Sequence, residues 1–531
     1  MRVLMLGWEL PPHISGGLGT ACQGLVEGLD SAGVEVVFVV PRAYGDEQAG
    51  RAKVIGGHGV QLDQAPGQPG FQEEPDEGVI SESRAKPVPV LAGVGARALD
   101  EVAPHDVSPG PADQLHVSDQ RPGAPVPGVR TVLVESPLRP YQDSESYLEL
   151  VQSLEANGES SSSAGTTFLG RQLNEQLSAG QAEPFEGAAI TDPAAWEALA
   201  HTAAKIAKER FLRGENAPEE ARFTGGYGPD LFGEVARYAQ VVAEIALREK
   251  VDLVHAHDWM TYPAGIAAAK ALGVPLLIHV HATEFDRSGE NPDPRVYALE
   301  CMGIHAADRI VCVSHFTGRT VRYKHGADPE KIRVLHNAVT QKEQRAQWHT
   351  GRTLKGPIVL YLGRVTMQKG QDYFLQAAAK VAKLRPDVNF VLSGSGDMLP
   401  SMMMQSARLG LARNVFFTGF LRGKEVERMY SMADLYVMPS VSEPFGITPL
   451  EAMALDVPVI VSKQSGVSEI VANALKVDYW DVDELANKML AVITYAPLRK
   501  QLIDQGRDEV GRMRWDVRGE LLRTYYEELV A

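Results

Sequence analysis

Short apolar runs alternate along this chain with longer stretches whose apolar residues recur every three or four positions. Residues 2–6 and 34–40 are apolar runs, and 21–29 between them has helical spacing, so the chain opens as β-α-β. Amphipathic helices are predicted over 194–212 and 231–249, the second with Leu231, Val235, Val242 and Ile245 on one face. From 251 the alternation is unbroken: strand 251–255, helix 264–271, strand 275–281, helix 296–305 and strand 309–313, the pattern of a parallel, doubly wound α/β sheet. Residues 341–355 are polar and aperiodic. A fresh strand over 358–362, a helix from about Gln371 and strands over 389–392, 415–417, 434–438 and 457–461 then build a second sheet. Two Rossmann-like domains are expected, 1–340 and 341–510, with a hinge near 338–357, a final helix over 511–531 and a cleft facing the carboxyl ends of the strands.

One stretch breaks the pattern. Residues 61–130 hold eleven prolines, eight glycines, one aromatic residue, Phe71, and eleven acidic against five basic residues. Too little apolar surface is available there to offset chain entropy, so 45–130 is expected to be a disordered insertion in the first domain. A strand over 131–135 and a second insertion over 155–185, around the Ser160–Ser163 run, follow.

Composition narrows the function. Among 531 residues, 52 Lys and Arg face 68 Asp and Glu, a formal charge of -16 that argues against nucleic acid as a partner. Three scattered cysteines suit neither a disulfide framework nor a thiolate zinc site, which predicts a reducing compartment. The apolar start, 2–6, is too short for a signal peptide, and no uncharged apolar run reaches the roughly 18 residues that span a bilayer. A cytoplasmic protein without an integral membrane segment is the expectation; the oligomeric state is left open.

Several constellations carry chemistry. The loop 11–19 places Gly16 and Gly17 between strand and helix, where backbone N–H groups can approach an oxyanion. It lacks the G-x-x-x-x-G-K and G-x-G-x-x-G patterns, which disfavours a nicotinamide oxidoreductase. Arg364 and Lys369 follow a strand and suit a diphosphate, Arg through its fork and Lys as a point charge. Gly394-Ser395-Gly396 is another close-approach turn. In the segment 439–452, Glu443 and Glu451 flank a loop-to-helix junction at Gly446, Ile447 and Thr448, where two carboxylates can accept hydrogen bonds from sugar hydroxyls. Histidines cluster in His255-Ala256-His257-Asp258-Trp259 and His279-Val280-His281, with each pair on one face of a strand end. They read as metal ligands of a hydrolase, as one substrate-facing histidine of a transferase, or as buried hydrogen-bonded residues. Asp481 reads as a helix cap.

In combination, the Gly-Gly loop, His-Ala-His-Asp-Trp, the Arg364/Lys369 pair and the Glu443/Glu451 pair resemble the retaining glycosyltransferases of family four and their relatives, the glycogen and starch synthases. The resemblance covers 1–44 and about 231–531. It implies a GT-B fold, a nucleotide-diphosphate sugar of the UDP- or ADP-glucose type as donor substrate, a glycan acceptor, and no metal or other cofactor. It further implies that Arg364 and Lys369 hold the donor diphosphate, Glu451 the ribose and Glu443 the hexose, with His281 beside the reacting carbon. Gly16 and Gly17 would donate to phosphate or sugar, Gly446, Ile447 and Thr448 would line the hexose site, and Asp258 would lie on the acceptor side. One departure is Ile14, where the synthases carry a lysine. The alternatives are a nucleotide-sugar epimerase on the same fold and a catalytically silent sugar-binding protein.

Overall fold

The computed structural model describes residues 1–11, 17–42, 52–56, 190–214, 231–340 and 354–531. Seven parallel strands form the first sheet: β1 Arg2–Leu6, β2 Glu35–Val40, β3 Lys53–Gly56, β4 Leu253–His257, β5 Leu276–Val280, β6 Arg309–Cys312 and β7 Ile332–Val334, in the order β3-β2-β1-β4-β5-β6-β7. Six form the second: β8 Ile358–Leu362, β9 Asn389–Ser393, β10 Val415–Gly419, β11 Leu435–Met438, β12 Val459–Ser462 and β13 Leu475–Val477, in the order β10-β9-β8-β11-β12-β13. The inner strands of both sheets are buried on both faces, which is why they read as continuous apolar runs rather than alternating ones, whereas the edge strands β3, β7, β10 and β13 are partly open. Each sheet reverses its direction of growth once, between β1 and β4 and between β8 and β11. A crevice opens beyond the carboxyl ends of the strands at such a reversal.

The expectation for 45–130 needs correction at its start. Lys53–Gly56 is a strand that pairs in parallel with β2, Phe38 opposite Val54 and Val39 opposite Ile55. Lys53–Gly56 precedes the Pro- and Gly-rich stretch that begins at 61, and the β-branched Val54 and Ile55 suit a strand that extends the sheet by one edge. The remainder of that insertion, the strand over 131–135 and the insertion over 155–185 lie outside the described residues.

Helix boundaries follow local chemistry. The helix α1 is Gly17–Ser31, and α2, Pro193–Arg213, begins at an Asp192 side chain that accepts from Ala194 N at 3.0 Å and ends at Gly214 in the left-handed conformation. Helices α3 Leu231–Arg248, α4 Tyr262–Leu272, α5 Glu284–Ser288, α6 Pro294–Ala306 and α7 His315–Lys324 complete the first domain's described layers. In the second, α8 Gln371–Leu384, α9 Leu399–Arg408, α10 Lys424–Met432, α11 Thr448–Ala454, α12 Val482–Thr494 and α13 Ala496–Val510 cover the sheet. Asp481 caps α12 by accepting from Glu484 N at 2.9 Å.

The last helix, α14 Trp515–Val530, lies against α1 of the first domain. Close approach is possible because three glycines meet there. A Cβ on Gly24 would fall 2.1 Å from the Trp515 ring, one on Gly28 2.2 Å from the Trp515 carbonyl oxygen, and one on Gly519 2.1 Å from Gly28. Among the described residues, no helix is long and apolar enough to cross a membrane.

Candidate active site

At the β8/β11 reversal two loops are zipped together. Val441 N donates to Gln368 O at 2.9 Å, and Gly370, at φ 66°, lies so close that a Cβ would sit 2.0 Å from Pro439 O. This places Lys369 Nζ 2.6 Å from Glu443 Oε2, which also accepts from Ser440 Oγ at 3.2 Å. Glu443 is buried, and a buried carboxylate needs such partners. Arg364 is exposed at the mouth of the same loop, its carbonyl oxygen held by Tyr361 OH at 2.8 Å. Gly446, at φ 95°, packs under this group, since a Cβ there would meet Met438 and Glu443 side chains at 3.0 and 3.1 Å.

Tyrosines position the helix that follows. Tyr436 OH lies 2.8 Å from Thr448 Oγ1 and 3.1 Å from Leu362 O, and Tyr430 OH donates to Glu451 Oε2 at 3.3 Å. Ile447 sits at the N-terminal boundary of α11, with its carbonyl accepting from Leu450 N and Glu451 N. Gly394 and Gly396 serve packing: a Cβ on Gly394 would lie 1.8 Å from Gly363 O and one on Gly396 2.3 Å from Val365 O.

At the β1/β4 reversal the four histidines form two stacked pairs. His255 and His257 lie 4.2 Å apart between ring centroids, and His279 and His281 4.3 Å apart, with His257 opposite His279 in the β4/β5 ladder. His257 Nδ1 is 2.8 Å from His281 Nε2, and His255 Nδ1 is 2.6 Å from Tyr526 OH of α14. Burial pushes His255 and His281 down to about 3 and His257 and His279 well below their usual range, so all four imidazoles are neutral; His281 alone keeps some opening to solvent. Cys22, His257 and His281 offer possible metal-ligand atoms within 4.8 Å of one another, as do His255, His257 and His279.

Asp258 points inward rather than to the cleft. Its carboxylate accepts from His281 N at 2.7 Å and Ala282 N at 3.4 Å, while its own backbone takes the unusual φ of 57°. Burial raises its pKa to about 7, against the lowering effect of Arg287 and the two N–H groups. Gly17 opens α1 in free space, with nothing within 4 Å of an added Cβ, and Gly16 lies outside the described residues.

Contacts between the two sheets' loops come from residues the sequence reading passed over. Ser442 Oγ donates to Asp286 Oδ1 at 2.6 Å, and Ser314 Oγ donates to Pro444 O at 2.6 Å. Glu469 accepts from His315 N at 2.9 Å and Phe316 N at 2.6 Å, and its Oε2 lies 2.9 Å from His336 Nε2. The His336 and backbone contacts hold the Glu469 carboxyl below the usual range despite its partial burial. The Thr283/Asp286 capping box was a signal for one of these residues; the others carry no local signature.

Family comparisons follow this division. The glycosyl transferases group 1 family matches residues 342–509, glycosyltransferase family 4 matches 207–343, and the starch synthase catalytic domain matches 2–72. The chain belongs to the glycosyltransferases. Its two parallel sheets and returning C-terminal helix are the GT-B fold, and its resemblance is to the glycogen synthases. An uncharacterized glycosyltransferase of Methanocaldococcus jannaschii is 29% identical over 285 residues, covering 50% of this glycosyltransferase and 73% of that protein. A D-inositol 3-phosphate glycosyltransferase of Segniliparus rotundus is 28% identical, covering 63% and 77%. A glycogen synthase of Mycobacterium tuberculosis is 30% identical, covering 42% and 54%. Among solved structures, a sucrose-phosphate synthase from Thermosynechococcus elongatus is similar with a TM-score of 0.49 at 21% identity, covering 59% of this chain and 80% of that one.

Proposed function

We propose that this glycosyltransferase is a retaining hexosyltransferase that moves glucose from a nucleotide-diphosphate sugar to a glucan or small-molecule acceptor. The reading rests on one juxtaposition: the Arg364/Lys369 loop and the Glu443 loop meet at the β8/β11 reversal, Lys369 Nζ 2.6 Å from Glu443 Oε2. Opposite charges held together in a half-buried crevice are a pair that an incoming diphosphate and sugar can share. The diphosphate takes Arg364 and Lys369; Glu443 turns its acceptor oxygens to hexose hydroxyls and Glu451 to the ribose. The bond from the anomeric carbon to the phosphate oxygen breaks as Arg364 and Lys369 offset the charge that develops on it. The acceptor hydroxyl bonds to that carbon on the same face and its proton passes to the departing phosphate. Neutral His281, anchored through Asp258, offers a hydrogen bond beside the reacting carbon.

The free, buried thiols of Cys22, Cys301 and Cys312 support a cytoplasmic setting. Relatives named for glycogen and for D-inositol 3-phosphate bring both acceptor classes into the test. A panel of nucleotide sugars is incubated with and without glucan and polyol acceptors, nucleoside diphosphate release is followed, and the product anomer is read by NMR. Release that requires acceptor, with the donor's anomeric configuration kept, supports the reading. An inverted product, a changed sugar without transfer, or binding without turnover replaces it with an inverting transferase, an epimerase or a silent binder.

A further inference from the structure

An open cavity of about 590 Å³ lies between α7, β7 and the returning helix α14, and its residue His336 meets Phe445 of the Glu443 loop with ring centroids 6.1 Å apart. Its lining includes Arg319, Arg322, Arg333, His315, His336 and Tyr525, and among the described residues it contains no carboxylate. Concentrated positive charge is unexpected in a chain of net charge -16. His315, Arg319 and Arg322 follow one another at helical spacing, so one face of α7 presents them together. Arg333 is shared with Glu528 at 3.2 Å, whereas Arg319 and Arg322 enter no ion pair among the described residues and are exposed.

We propose that this cavity binds a small phosphate-bearing metabolite, with Arg319 and Arg322 as its principal anion contacts and Arg333 and His336 flanking it. Two guanidinium forks from successive turns match the oxygens of one phosphate group, and the remaining volume accommodates an organic moiety that a bare phosphate would leave unfilled. The site is coupled to the domain contact. His336 and the backbone N–H of His315 already hold the Glu469 carboxylate from the second domain, so a bound anion faces a like charge across them. Occupancy then weakens the Glu469 contact.

Calorimetric titration of the full chain with glucose 6-phosphate and, separately, inorganic phosphate, at matched ionic strength, tests this. The doubly substituted Arg319→Ala/Arg322→Ala protein is expected to lose affinity at least about tenfold, the scale of a lost charged hydrogen bond. Arg364→Ala/Lys369→Ala, which empties the proposed donor cradle, is expected to keep it. Glu469→Gln is expected to bind tighter than wild type, and the ester tighter than inorganic phosphate. Absence of saturable binding, or binding that disappears with Arg364 and Lys369 but survives loss of Arg319 and Arg322, overturns the site. Ester binding no tighter than inorganic phosphate overturns the metabolite assignment, and unchanged affinity in Glu469→Gln overturns the coupling. These outcomes do not depend on glycosyl transfer, which the panel above reads separately.

Discussion

Glu443 and Glu451 lie eight residues apart but sit in different surroundings. Glu443 is buried against Lys369 and Ser440, while Glu451 is half-buried on the first turn of α11 beneath Tyr430. Under the proposed roles Glu451→Ala raises the donor KM, because a ribose contact is shared by ground and transition states. Glu443→Ala lowers kcat by roughly one to three orders of magnitude, the scale of a lost transition-state hydrogen bond. Steady-state kinetics with circular dichroism on both variants checks this split; near-wild-type values for both would refute it. The pKa shifts also have a sign that stability measurements reveal. The four histidines are neutral in the folded protein and take up protons when unfolded below about pH 6.5, so their contribution to stability is lost as pH falls toward about 3. Asp258 acts oppositely. Its folded pKa of about 7 keeps it protonated above its unfolded value, so stability falls as pH rises toward 7. Asp258→Asn retains the acceptor for His281 N without ionising. Its thermal midpoint is therefore expected to gain on wild type from about pH 4 to pH 7; a relative loss over that window would show the ionised carboxylate to be the favoured form.

Among the elements, the joint between α1 and α14 is the most sterically determined. Gly24, Gly28 and Gly519 let the two helices meet backbone to backbone, and α14 then brings Tyr526 to His255 beneath the proposed site. Gly28→Ala sets a methyl group 2.2 Å from the Trp515 carbonyl oxygen and forces the helices apart. Overpacking of this kind costs about 1–3 kcal/mol, so the urea midpoint should fall. Gly17→Ala, where an added Cβ meets nothing within 4 Å, is the matched control and should leave the midpoint near that of wild type. Equal midpoints for the two variants would mean that the helix joint is not as tight as these distances indicate.

For the whole molecule, the contacts of Ser442 with Asp286, Ser314 with Pro444, and Glu469 with the start of α7 and His336 tie the two sheets' loops together. These links are few and polar, and the Ser314 hydroxyl is fully buried in its contact; under the proposed function, closure of the cleft over a donor would exclude water from the reacting carbon. Because the proposed chemistry draws its positive charge from Arg364 and Lys369, donor turnover is expected to survive treatment with a chelator and dialysis. Loss of turnover restored by one specific divalent ion would instead favour a metal role for Cys22, His257 and His281, whose ligand atoms lie within 4.8 Å.

What residue order alone determined is local. Apolar runs over 358–362 and 389–392 match β8 and β9, the helical spacing over 194–212 matches α2, the Asp481 cap places the start of α12, and the two βα alternations determine a two-sheet α/β protein. Each of these depends on neighbours within about a turn or a strand, which a sequence carries directly. The spacing of His255, His257, His279 and His281 likewise gave their shared faces, because side chains alternate along a strand. Only tertiary structure could show that Lys369 closes on Glu443, that Asp258 turns inward to hold His281, that Lys53–Gly56 joins the sheet, or that Arg319, Arg322 and Arg333 share one cavity. Those arrangements join residues separated by up to hundreds of positions, and they follow from strand order and loop packing, which no local periodicity encodes.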